Sequence, residues 1–328
     1  MKTFSIAGIT RKNRFVSAPL AGYSDYARRK INYDYGASLL YTERESCEAI
    51  RHNSRISKRE LNRTKKDKEE EKDAKLALQI FGGDAGHILS SIPLVEQRAE
   101  YDFLDFNCGC PAPKVIRQKS GSFWLNRQDE LIDLLRQMVR ISTHPVIVKR
   151  RVGFNEVIDR VSLCKRREQA GVKALCIHAR TRKERFSPIL HYDVLKAVKE
   201  NVSIPVIANG NIGADNFIGV LNQTNADAVM VATKRIGYPK IFQDRIRIEE
   251  GLKPLETTFE GQVADLKKHL DYIYATKDDL TASLTRRSIA VHYLRGFENA
   301  KSKRNALVHC KTKQDYLNVI SEREGQKD

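Results

Sequence analysis

Apolar residues recur along the chain in short runs rich in Val, Ile, Leu and Phe. They stand at 15–22 (FVSAPLAG), 38–43 (SLLYTE), 76–82 (LALQIFG), 103–109 (FLDFNCG), 145–153 (PVIVKRRVG), 174–181 (ALCIHART), 205–210 (PVIANG) and 228–233 (AVMVAT). Each has the length of a strand, and several stop at a glycine or a polar residue. The stretches between them have a helical period. In 129–142, Leu131, Leu134, Leu135 and Met138 share one face; 191–202 repeats Val194, Leu195 and Val198; 214–226 repeats Phe217, Val220 and Leu221. Residues 156–171 bring Val157, Val161, Leu163 and Cys164 to one side and stop at Gly171, which predicts a helix over the whole stretch. Such alternation predicts parallel strands joined by crossover helices. Eight units in about 240 residues predict an α/β fold of the (β/α)8 TIM-barrel type. A doubly wound sheet is the alternative, but it usually carries a glycine-rich fingerprint after its first strand, and SAPLAGYSD is not one. Beyond the last unit, VADLKKHLDYIYA and LTRRSIAVHYLRGF read as helices. The expected organisation is a barrel over 1–248 and a small all-helical domain over 249–328, with 249–258 as the linker.

Charge changes this picture more than composition does. With 41% hydrophobic and 30% charged residues the chain reads as globular. No apolar run approaches the length of a membrane span. MKTFSIAGITRKNRF has no secretory apolar core, so a cytoplasmic protein is expected; a monomer is expected as well. Six dispersed cysteines are expected to be thiols. The net charge of +17, however, calls for a polyanionic partner, and nucleic acid is the leading candidate. The cations concentrate in 286–313, with eight Lys/Arg against one acid. Arg286, Arg287, Arg295, Lys301, Lys303 and Arg304 are its candidate RNA contacts. Residues 57–75 mix both signs and read as a solvated helix or loop, not as a binding surface.

A barrel keeps its chemistry at the C-terminal ends of its strands. In order, the strands deliver Pro19, Leu20, Ala21 and Gly22; Thr42 and Glu43; Gln79; Asn107, Cys108 and Cys110; Lys149 and Arg151; His178 and Arg180; Asn209, Gly210 and Asn211; Ala232, Thr233 and Lys234. This set is cationic and rich in amides. It holds no carboxylate cluster, which argues against a glycosidase pair and a hard-cation site. Loops after the seventh and eighth strands commonly bind phosphate, and the backbone of Asn209–Asn211 suits that role. Cys108 and Cys110 pose a separate question. Zinc would need a second nearby pair, which is absent, so no metal is expected. The spacing is not that of a Cys-x-x-Cys exchange pair either. One working thiol remains: Cys110, on the outgoing loop before Pro111, with Cys108 packed nearer the strand.

Together these residues resemble the tRNA-dihydrouridine synthase family. The matching pieces, in the family's order, are SAPLAGYSD, LLYTE, LQIFGGD, DFNCGCPAPKV, PVIVKRRVG, IHARTR, IPVIANGNI and GYPKIF. The tail RRSIAVHYLRGF is similar to the basic stretch of the family's RNA-binding helical domain. The resemblance implies FMN as cofactor, NADPH as reductant, tRNA as partner, and reduction of the C5–C6 double bond of a uridine. It makes Cys110 the general acid, and has Asn107 and Arg180 hold the uracil. Gln79, Lys149 and His178 would contact the flavin ring and ribityl chain, with Pro19, Leu20 and Ala21 beside them. Asn209, Gly210, Asn211, Ala232 and Thr233 would take the phosphate. Hydride addition builds negative charge on the pyrimidine, which a thiol that is still protonated can quench. Lys149 and Arg180 are fixed cations able to stabilise that charge.

Three departures stand out. The family's Gly-Arg-Gly after the eighth strand is replaced by ATKR (232–235), where added Cβ atoms crowd a phosphate and Lys234 or Arg235 stands in for the missing guanidinium. HGR becomes HAR (178–180), and GAG becomes SGS (120–122). Weakened FMN affinity is therefore expected. The alternatives are a tRNA-binding protein without flavin chemistry and another FMN-dependent barrel oxidoreductase.

Overall fold

Two short strands that the sequence pattern does not announce open the chain. In the computed structural model, which describes residues 2–158, 161–276, 289–297 and 300–321, β1 (Phe4–Ile6) and β2 (Ile9–Arg11) form an antiparallel hairpin. Ala7 and Gly8, both at positive φ, make its turn.

The eight apolar runs are the strands of one parallel sheet: β3 (Phe15–Ser17), β4 (Leu40–Ser46), β5 (Leu76–Phe81), β6 (Phe103–Cys108), β7 (Val146–Gly153), β8 (Leu175–Thr181), β9 (Val206–Asn209) and β10 (Ala228–Val231). Each pairs with its neighbour in sequence, and β10 returns to β3. Closure is completed where the Ser17 amide donates to the Leu39 carbonyl and the Ser38 amide to that of Phe15, both at 2.9 Å. The result is the expected TIM-type barrel.

Strand parity then divides the side chains in two. Val16, Tyr41, Ala77, Phe103, Ile147, Cys176, Ile207 and Met230 point inward and form one buried cluster, which Phe4 and Ile6 of the hairpin join. The opposite parity packs against the crossover helices.

Those helices are α1 (Tyr26–Asp34), α2 (Cys47–Arg51), α3 (Arg55–Glu70), α4 (Ala85–Arg98), α5 (Pro113–Arg117), α6 (Gln128–Ile141), α7 (Ser162–Gln169), α8 (Tyr192–Lys199), α9 (Phe217–Thr224) and α10 (Ile241–Glu249). One boundary differs from expectation. The helix predicted from residue 156 begins only at Ser162, because Val157 bridges back to Gly153. A Cβ at Gly153 would lie 1.7 Å from the Glu156 carbonyl oxygen, so glycine is what permits this tight turn.

After α10 the chain runs without regular structure over 252–258 and enters α11 (Phe259–Tyr274). This helix lies across α1: Ile273 packs on Ala27, Tyr35 hydrogen-bonds Asp265, and Tyr272 donates to Asp34 at 2.5 Å. Leu266 and Leu270 of α11 share a second core with Tyr293, Leu294, Leu307, Tyr316 and Ile320 of the C-terminal helices. Among the described residues no helix is long and apolar enough to cross a membrane.

Candidate active site

The inward parity that fills the barrel also builds its mouth. Above Ala77 on β5 comes Gln79; above Phe103 on β6 come Asp105 and Asn107; above Ile147 on β7 come Lys149 and Arg151; above Cys176 on β8 come His178 and Arg180. β9 ends in Asn209, and Ala232 follows β10. One cavity gathers sixteen sequence-predicted residues: Pro19, Leu20 and Ala21; Gln79; Asn107 and Cys110; Lys149 and Arg151; His178 and Arg180; Asn209, Gly210 and Asn211; Ala232, Thr233 and Lys234.

A buried chain of hydrogen bonds sets the cysteine loop. Gln79 Nε2 donates to Asp105 Oδ2 at 2.6 Å, which turns the amide so that its oxygen accepts from Asn107 Nδ2 at 2.7 Å. Asn107 Oδ1 then accepts the amides of Gly109 and Cys110 at 3.1 and 3.0 Å. From the other side, the amide and hydroxyl of Ser122 donate to the Cys110 carbonyl at 3.1 and 3.0 Å. This accounts for the second serine of SGS. The glycine between the two serines sits at φ +62°, and a Cβ there would press on Val115 and on Cys110 itself. Arg151 ties the same loop outward, from the Gly109 carbonyl (2.9 Å) to that of Thr181 (2.9 Å).

The two cysteines separate as their parity requires. Cys110 lines the cavity, and its Sγ accepts a hydrogen bond from Arg44 Nη1 at 2.9 Å. Cys108 is wholly buried on the helix-facing side, where burial pushes its thiol up to about 12. All six cysteines lie among the described residues and none is in a disulfide.

The cavity is strongly cationic. Arg44, Lys149, Arg151, Arg180 and Lys234 line it, and no carboxylate does among the described residues. Burial, with Arg151, Lys149 and Arg180 nearby, holds His178 well below the usual histidine range, so its ring is neutral near pH 7. Its Nδ1 is buried with no well-formed hydrogen bond among the described residues, and only the Arg180 backbone opposes these effects. Lys149 Nζ donates to Asn209 Oδ1 at 3.1 Å, and Asn209 Nδ2 donates to the Met230 carbonyl at 2.9 Å. Beneath them burial pushes the Asp105 carboxyl up to about 8, against the opposing effects of Gln79 and Lys149.

Several expectations need correcting. Thr42 and Glu43 do not reach the cavity; Arg44 does, because a bulge between Tyr41 and Arg44 shifts the parity of β4. Arg235 is no phosphate ligand. It is buried, donates to the Ala18 carbonyl (2.7 Å) and Ser24 Oγ (3.0 Å), and so props the Pro19–Ala21 turn, leaving Lys234 as the cavity cation. Lys303 is buried with its ammonium on the Val319 carbonyl (3.3 Å), and Arg304 donates to the Leu294 carbonyl (2.9 Å). A buried ammonium is not available to a phosphate. Arg295 and Lys301 are exposed, and Arg286 and Arg287 lie outside the described residues. Phe186, 78% exposed at the cavity rim, was missed, since nothing in KERFSPI marks it as part of the site.

A parallel barrel whose cationic, amide-lined mouth carries one thiol defines the class: a TIM-barrel enzyme shaped for an anionic ligand. The comparisons narrow this. The sequence profile of the family described as Dihydrouridine synthase (Dus) matches residues 16–326, and the chain belongs to that family. It is 37% identical over 235 residues to the tRNA-dihydrouridine synthase B of Pasteurella multocida (strain Pm70), spanning 71% of this chain and 68% of that one. It is 30% identical over 316 residues to the tRNA-dihydrouridine synthase B of Vibrio cholerae serotype O1, spanning 94% and 95%. A solved structure described as "Crystal structure of TcOYE with pHBA" superposes with a TM-score of 0.57 at 13% identity, over 80% of this chain and 95% of that one, and shares the fold.

Proposed function

We infer that the protein is a tRNA-dihydrouridine synthase: it reduces the C5–C6 double bond of a uridine in tRNA, with FMN as cofactor and NADPH as reductant. The observation that carries this reading is the Cys110 thiol facing the same cavity as Lys149, His178 and Arg180.

The residues fit FMN by the chemistry of their donors. A phosphate and an electron-rich ring system call for cations and amides, and the cavity has both without an opposing carboxylate among the described residues. The buried His178 Nδ1, with no well-formed hydrogen bond among the described residues, is a polar atom awaiting a partner. Gln79, Lys149 and His178, with the Pro19–Ala21 turn, would hold the ring and ribityl chain. Asn209, Gly210 and Asn211 with Ala232, Thr233 and Lys234 would hold the phosphate. FMN, when bound and reduced by NADPH, supplies the hydride.

The chain's own residues do the rest. Asn107 and Arg180 orient the pyrimidine, and the cations of the wall lower the cost of negative charge developing on it. Cys110 gives its proton to C5. The sulfur left behind is an anion, and the Arg44 N–H already directed at it becomes a charge-assisted hydrogen bond. The exposed cations Arg295 and Lys301 hold the RNA.

The test uses purified protein, NADPH and tRNA from cells lacking the gene. Bound flavin, NADPH consumption and dihydrouridine at defined positions are expected. Protein that binds flavin and RNA yet forms no dihydrouridine would defeat the assignment.

A further inference from the structure

Outside the active site, one side of α3 gathers cations from a stretch of mixed charge. Along the chain this stretch mixes both signs and reads as solvated. The helix sorts it. At about 3.6 residues per turn, Arg55, Lys58, Arg59, Asn62, Arg63 and Lys66 share one side, and together they line a groove of about 470 Å³. Ser57, Leu61, Thr64 and Asp67 face inward and are buried, with Asp67 paired to Arg29.

Acids only partly offset this face. Glu60 meets Arg59 and Arg63, each at 3.1 Å, and Glu70 meets Lys66 at 3.4 Å. Arg55 and Lys58 have no acidic partner among the described residues. They stand in or beside a first turn without acids, where Ser54 makes no side-chain cap. Cations at a helix N-terminus oppose the helix dipole. Folding gains nothing from them there, whereas a polyanion would.

α3 also contacts the barrel strand β4 at one end and the helical domain farther along. At its start, Ser57 donates to Glu45 (3.1 Å), the residue next to Arg44 of the cavity. Farther along, Arg63 donates to the carbonyl of Thr276 (2.9 Å), just beyond α11 of the helical domain. The helix that carries the groove therefore touches both β4, which supplies Arg44 to the cavity, and the residue after α11 of the helical domain. We propose that this outer face of α3 is a binding surface for the sugar-phosphate backbone of the tRNA substrate, a second grip that holds the RNA while one base enters the cavity. It rests on the tRNA-dihydrouridine synthase reading above. Arginines and lysines flanking an amide side chain suit phosphate and ribose oxygens without selecting a sequence.

The test is a quadruple variant, R55Q/K58Q/R59Q/K66Q, in the full chain loaded with flavin; Arg63 stays because it holds Thr276. Binding of unmodified tRNA is measured against salt. The dissociation constant should rise about tenfold near 0.1 M salt, and the slope of log K against log salt should shrink by about two. NADPH oxidation without tRNA should stay at the parent level. The double variant R55Q/K58Q, which breaks no ion pair, gives a smaller shift of the same sign and serves if the quadruple variant does not fold. Parent enzyme that makes dihydrouridine, together with variants that keep its affinity and salt slope, overturns the α3 assignment alone. Parent protein that makes none overturns the enzyme reading beneath it. Loss of binding to phosphatidylserine vesicles with tRNA affinity intact would assign the face to a membrane instead, and would also overturn the proposal.

Discussion

Cys110 and Cys108 are two residues apart and chemically opposite in setting. One faces the cationic cavity with an arginine on its sulfur; the other is sealed behind the sheet. Cys110→Ala is expected to keep flavin and tRNA binding while slowing uridine reduction by about 10²-fold or more, the usual loss of a positioned proton donor. Cys108→Ala should turn over near the parent rate. Single-turnover rates for the two variants check this, and parent-like rates for Cys110→Ala would remove its role. Asp105 invites a different measurement. Its carboxyl is pushed up to about 8 in the fold, so between the unfolded value near 4 and that point the native state binds the extra proton. Its contribution to stability is complete below pH 4 and is lost as pH rises toward 8. Asp105→Asn keeps an oxygen for Gln79 and cannot titrate. Urea midpoints for the variant should therefore fall less than the parent's across this window, and parallel curves would mean the carboxyl does not titrate there.

Among the elements, β4 shows how one inserted residue rewrites a site. Its register runs Tyr41 to Ala77 and then Arg44 to Gln79, three steps against two. Unbulged alternation from Tyr41 would aim Glu43 into the mouth and set a carboxylate among its cations. The bulge aims Arg44 there instead. Arg44→Met should therefore lower kcat, because the thiolate formed by proton donation loses its charged N–H partner. Arg44→Lys should restore part of the rate. Equal kcat for the Arg44→Met variant and the parent enzyme would show that the contact at 2.9 Å has no part in turnover. The bulge was not legible from SLLYTE, since no local residue signals an unpaired position inside a strand. The eight strands themselves were legible, because each run begins with residues buried on both faces of its sheet, which must be apolar there.

The whole molecule couples a barrel to a helical unit through α11, whose Ile273 and Asp265 engage α1. Removing residues 255–328 should abolish reduction of tRNA while leaving flavin in the barrel. Measurement of dihydrouridine and of bound flavin on the same preparation separates these effects; full tRNA turnover by the truncated chain would deny the tail its part. The basic face of α3 adds to that grip from the barrel side. Its cations are plain in the sequence but their sidedness is not, because a run that mixes signs along the chain can still be sorted around a helix.

Local pattern settled the eight barrel strands and their order, since burial demands runs of apolar residues at a strand's own length. It also placed sixteen cavity residues at strand ends, since barrels put their mouths there. What it left open were contacts between residues distant in the chain. Arg235 beneath the Pro19–Ala21 turn, Arg44 on Cys110, and Lys303 inside the helical core depend on closure and packing. Whether a cation meets a carbonyl, a thiolate or solvent follows from where the folded chain brings it, and side-chain type alone carries no information about that.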